Sequence, residues 1–236
     1  MKSDRTYYAD PELGPARRLQ RAGDWDGALR LVPDSTPGAV LRAEILVDRH
    51  TWRLDPVTGA TAAIHAIEDR EPDDAAFLTA VLEYWRQLLK SGDTPLGPDP
   101  VTEFARLDVK TPGWATFWHG VSTENLRGDD ESAQALYRRA LGSALDEEDL
   151  LLESYVVRHQ GFHMLGQDRD TGLALLRRSL DLRAACGARP HVAAAQAGLA
   201  EALGVGPESV LLSRLVAHSA QELNLAWLKV ERESVI

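Results

Sequence analysis

Ala135-Leu136-Tyr137-Arg138-Arg139-Ala140-Leu141 returns thirty-nine residues later as Ala174-Leu175-Leu176-Arg177-Arg178-Ser179-Leu180, with five of the seven positions identical. A self-match at this period marks a chain assembled from helical hairpins. One hairpin cannot bury its apolar face alone, so neighbours must stack and together present an extended curved surface. The expected fold class is all-α, an α-solenoid of stacked helical hairpins. Its body is expected to be elongated.

Outward from the repeat, Gly and Pro punctuate stretches of helical period, and no alternating strand pattern stands out. Thr111-Pro112 reads as a cap followed by proline, opening a helix over 112–126. Helices at 130–145, 147–165, 169–185 and 190–203 follow, and a last one starting at Gly206-Pro207-Glu208 is expected to reach Glu231. On the other side, helices are expected over 10–22, 24–32, 37–51, 58–69 and 72–90. Ser91-Gly92-Asp93-Thr94-Pro95-Leu96-Gly97-Pro98-Asp99-Pro100 carries three prolines and two glycines, which regular helix does not tolerate. A short helix near 100–108 sits inside that break. The count is about 10–12 helices in one helical domain, 1–236. An irregular interruption at 91–111 either loops out or divides the domain into 1–90 and 112–236.

Composition narrows the function classes. Hydrophobic residues make up 44% and charged residues 26% of the 236 positions, a soluble globular balance. The net charge of −10 opposes non-specific attraction to nucleic acid or to anionic lipid. Neither nucleic acid nor membrane is therefore an expected partner. No apolar run approaches the length that spans a bilayer. The opening Met1-Lys2-Ser3-Asp4-Arg5 has no apolar core behind it and does not read as a signal peptide. Cys186 is the single cysteine, so no intrachain disulfide can form, and a cytoplasmic location is expected. Cys186 itself reads as a small hydrophobe at a helix end.

The turn glycines and the small residues behind them resemble the tetratricopeptide repeat. Gly23 with Ala28 matches the turn glycine and the small residue after it. Gly128 with Ala133, Tyr137 and Ala140 matches more fully, and Gly172, Leu176 and Ser179 echo the last three. The likeness covers about 14–32 weakly and 112–186 well. The period exceeds the thirty-four residues of the family, and its Trp, Leu-Gly and Pro positions are mostly absent, so the unit is tetratricopeptide-like. The resemblance implies a right-handed superhelix whose first helices line a concave groove and whose second helices form the outer wall. In the family that groove commonly holds a peptide, and the same scaffold accommodates small molecules or catalysis. Aligned in this way, Arg138-Arg139 and Arg177-Arg178 fall on the outer wall.

The residues richest in chemistry lie on the first helices. His159 and His163 are four apart, so both imidazoles leave one helical face about a turn apart. With His119 from the preceding unit, and Glu124 or Glu153 as a carboxylate, they are weak candidates for a metal site. Packing histidines are the plainer reading, and no His-Glu-x-x-His cluster supports a metal. Trp114, Phe117 and Trp118 form one aromatic stripe, either core between repeats or a platform in the groove. No phosphate loop or Gly-x-Ser-x-Gly is present.

The leading expectation is a non-catalytic interaction module holding a peptide or protein segment in its groove. The groove-face residues are Trp114, Trp118, His119, Tyr155, His159 and His163, with no cofactor. The alternative is a small-molecule-binding or enzymatic helical protein with a site built from His119, His159 and His163. Homodimerisation through the apolar segment 208–231 is a separate expectation.

Overall fold

The computed structural model describes residues 4–228, which form thirteen α-helices and no strand. The N-terminal helices are α1 (Asp4–Ala9), α2 (Gly14–Arg21), α3 (Trp25–Leu31), α4 (Thr36–Arg53), α5 (Thr58–His65) and α6 (Pro72–Leu88). Then come α7 (Pro100–Lys110), α8 (Trp114–Arg127), α9 (Asp130–Asp146) and α10 (Leu150–Met164). The last are α11 (Arg169–Ala185), α12 (Arg189–Leu203) and α13 (Pro207–Glu222). Every helix expected from the sequence has its counterpart. The added one is α1, a single short helix before Asp10.

Aspartates start many of these helices by accepting the orphan N–H three residues on. Asp24 accepts from Gly27, Asp129 from Ser132, Asp149 from Leu152 and Asp168 from Thr171, at 2.8–3.1 Å. Several boundaries differ from the expected ones, among them the end of α5 at His65 rather than 69 and the start of α10 at Leu150 rather than 147. Asp10 does not open a helix: its carboxylate accepts from the N–H groups of Glu12 and Leu13 and makes the turn before α2. Thr111 ends α7 rather than capping α8, because Gly113 turns the chain at φ +89° and helix resumes at Trp114. The last helix stops at Glu222. Asn224 adopts a left-handed φ of 53°, and the Leu225 N–H returns to the Ala220 carbonyl at 2.9 Å. Residues 229–231 of the expected helix lie outside the described residues.

Successive helices pack as neighbours, and close crossings hold the repeated stretch in register. A Cβ on Gly120 of α8 would stand 2.9 Å from the Tyr137 ring of α9. A Cβ on Gly161 of α10 would stand 3.1 Å from Leu176 of α11. Tyr137 and Leu176 are the same position of the two repeats, and each packs over a glycine of the preceding helix, although the two glycines are two positions out of step. The arginine pairs behind them are exposed. Arg139 meets Asp108, Arg177 meets Glu208 and Arg178 meets Glu153.

The main core runs from Val40 through Phe77, Phe104 and Phe117 to Val156, so its side chains come from both sides of 91–111. Helix α7 carries Phe104 and Leu107 into it, and Leu96 is tied down by its N–H to the Glu83 carboxylate at 2.9 Å. A second core joins the ends of the chain. Leu13, Trp25 and Trp52 pack there with Ala193, Val216, Leu223 and Leu225. The elongated body expected from the sequence is therefore corrected: the first hairpin rests against the last. Two apolar ends that would face water alone are covered by each other. On α13, Leu212, Val216 and Ala220 are buried, while Val210, Leu211 and Leu215 are exposed. No helix among the described residues is long and apolar enough to cross a membrane.

Candidate functional site

One cavity of about 560 Å³ lies where six helices converge. They are α2, α4, α6, α8, α10 and α12, every second helix of the chain, joined by Arg183 from α11 and by Trp227. Its wall combines rings and charges.

Edge-to-face ring contacts run around the wall and link distant parts of the chain. On one side, Trp52 of α4 meets His191 of α12 at 5.0 Å and Trp227 at 5.4 Å, and Trp227 meets Trp85 of α6 at 5.8 Å. On the other, Tyr155 of α10 meets Phe117 at 5.3 Å and His191 at 5.5 Å. Trp114 and Trp118 line the cavity and are also packed. The indole N–H of Trp114 donates to Asp149 at 2.9 Å, and Trp118 stacks on Phe104. The aromatic stripe read from the sequence is thus both core and wall.

The charges around the cavity are mostly compensated. On α2, Arg17 is fully buried against Glu44 of α4, and Tyr7 donates to the same carboxylate at 3.0 Å. Arg21 makes two hydrogen bonds to Asp4, at 2.7 and 2.8 Å. Burial pulls both guanidinium pKa values down, but Glu44 acting on Arg17 and Asp4 acting on Arg21 outweigh it and raise them. Asp48 accepts the indole N–H groups of Trp25 and Trp52 at 2.9 and 3.0 Å, and burial raises its pKa.

Glu124 of α8 organises the histidines. Its carboxylate accepts the Tyr137 hydroxyl, lies 3.1 Å from Nδ1 of His159 and 2.9 Å from Nε2 of His163. Burial alone would raise Glu124, but His159, Tyr137 and His163 hold it down to about 2. Burial lowers His159, with Arg158 adding to the effect, so its ring is neutral at pH 7. A neutral His159 donates its Nδ1–H to Glu124 and leaves Nε2 as an acceptor, without a protein partner among the described residues. That is an oriented imidazole on the cavity wall, able to accept a proton or a hydrogen bond.

The residues expected at the site therefore divide. Trp114, Trp118, Tyr155 and His159 line the cavity, and His163 meets its Glu124 from behind. His119 does not join them. It faces away toward Asp108, with Nδ1 3.7 Å from that carboxylate, so the three histidines do not converge. Glu153 is engaged by Arg178. No group of three or more metal-ligating side chains gathers among the described residues. Cys186 ends α11, half-buried, and burial pushes its thiol up to about 11.

Several wall residues were not legible in the sequence, among them Trp52, Trp85, His191, Trp227 and Arg183. Only Arg183 leaves a trace. It continues the buried stripe Leu176–Ser179 by one more turn, where a further apolar residue would be expected.

No known protein family, curated protein or solved structure matches this chain.

Proposed function

We propose that the protein is a binding protein for a small molecule, held in the central cavity with a flat apolar body against its rings. The observation that carries this reading is the cavity itself: about 560 Å³, with walls supplied by every second helix and by both ends of the chain. That volume suits a drug-sized ligand, and a ring-lined hollow with a few placed polar groups is the usual form of such sites. The scaffold that fits these contacts is a tetratricopeptide-like superhelix with first helices inside, supported by the repeated glycine crossings and by the alternation of wall-forming helices. A peptide in an open groove is the weaker reading, because the closing of the last hairpin on the first favours a compact ligand over an extended one. The oriented His159 would accept a hydrogen bond from the ligand.

The test uses a neutral aromatic probe, naphthamide. It should bind with one-to-one stoichiometry and quench tryptophan fluorescence. Hydrogen exchange with the probe bound should slow in α4, α6, α10 and α12 together. Protection confined to the exposed face of α13 would remove the reading.

A further inference from the structure

Arg183 differs from Arg17 and Arg21, the other two fully enclosed arginines of the wall, which meet Glu44 and Asp4. Arg183 is 2% exposed. Its Nε donates to the Ser154 hydroxyl at 3.3 Å and its Nη1 to the His191 carbonyl at 2.9 Å. Its guanidinium carbon lies 4.8 Å from the centre of the Tyr155 ring. All three neighbours are uncharged in their ordinary state. Among the described residues no carboxylate pairs with Arg183, and its Nη2 meets no protein acceptor. Burial and the nearby Arg158 lower its pKa to about 10, so the side chain is still a cation at pH 7. A buried cation without a counter-ion is costly, and proteins seldom keep one that nothing occupies.

Resting on the small-molecule reading above, we infer that the ligand of this cavity carries one carboxylate, which docks on the Nη2 edge of Arg183 while its aromatic body lies against Tyr155 and Trp52. The free edge of a guanidinium offers the planar, charge-assisted donors that a carboxylate accepts. A single negative charge matches the single charge of Arg183. A dianionic phosphate does not, because Glu44, Asp48 and Glu124 already place three carboxylates on the same wall. Arg158, over the Phe162 ring at 4.8 Å, adds positive potential on the same side. Ser154 and the His191 carbonyl hold the guanidinium in place, so the free edge is pre-oriented and little entropy is lost on binding.

The experiment titrates naphthoate, naphthamide and naphthyl phosphate into the full chain by calorimetry, using wild type, Arg183→Met and Arg183→Lys. Naphthoate should bind wild type at least about tenfold more tightly than naphthamide, the range of a hydrogen bond to a charged group. That preference should vanish in Arg183→Met and survive in part in Arg183→Lys. Equal binding of naphthoate and naphthamide to wild type overturns the carboxylate assignment and leaves the cavity reading intact. Tighter binding of naphthyl phosphate overturns the single-charge argument. Binding of none of the three overturns the cavity reading and this assignment with it. The wild-type comparison needs no variant to fold.

Discussion

Arg17 and Arg183 are both buried arginines on the wall of one cavity, and they are handled in opposite ways. Arg17 sits on α2 within reach of Glu44, Asp4 and Tyr7, and its charge is answered by the protein itself. Arg183 sits on α11 with a hydroxyl, a carbonyl and a ring around it and no carboxylate. A buried charge is tolerated when it is paired and hydrogen-bonded, and otherwise it lowers stability. The first arginine therefore belongs to the architecture, joining α1, α2 and α4. The second is a stability cost that only a bound anion relieves, and such costs concentrate at functional sites.

The largest effect that could break this contrast is at Glu44. Glu44→Ala leaves Arg17 buried without its main counter-ion, and about 3–5 kcal/mol of unfolding free energy should be lost. Chemical denaturation measures it. A loss below about 1 kcal/mol would mean that Asp4 and Tyr7 suffice, and the distinction between the two arginines would weaken.

A second effect sharpens the contrast through pH. His191 is buried between the two regions, and its pKa is held well below the ordinary 6.5 by burial and by Arg21 and Arg183, with Asp4 opposing. His159 is lowered in the same sense. A histidine with a lowered folded-state value is protonated first in the unfolded chain. Stability is therefore fully present above pH 6.5 and is lost as the pH falls below it. The slope should reach about 1.4 kcal/mol per pH unit for each such group. Glu124, held down to about 2, adds its own loss below its ordinary value of 4.5. Thermal melts from pH 7.5 to 5 should show falling Tm, with a shallower slope in His191→Gln. An unchanged slope in that variant would remove His191 from the account.

The smallest effect has the opposite sign. Arg183→Met in ligand-free protein should raise stability by about 1 kcal/mol, because an uncompensated buried cation is replaced by an apolar chain of similar length. A clear loss would instead give Arg183 a structural role, through its bonds to Ser154 and to the His191 carbonyl.

Much of the fold was legible because helices announce themselves locally. Aspartate caps, prolines at first turns and the apolar period located twelve of the helices from neighbouring residues alone. Among the misplaced ends, those at Asp10, Thr111 and beyond Glu222 were set by turn geometry: the bonds to Asp10 and the left-handed Gly113 and Asn224. At the site, the spacing of His159 and His163 placed both on one face, and Glu124 was among the carboxylates considered for them. His119 read as their partner by its place in the preceding helix, yet its ring turns to Asp108. Sequence spacing gives a face of a helix but not the rotation of that helix against its neighbours.

By itself, then, the sequence determined that the chain is helical and where its hairpins turn. These follow from interactions between residues a few positions apart. Only the tertiary structure decided that the first and last hairpins meet, that Trp52, His191 and Trp227 share one wall, and that Arg183 has no carboxylate while Arg17 does. Those outcomes depend on groups carried by different helices, 27 residues apart for Arg17 and Glu44 and more than a hundred for Trp52 and His191, and no local period records which distant group will stand opposite which.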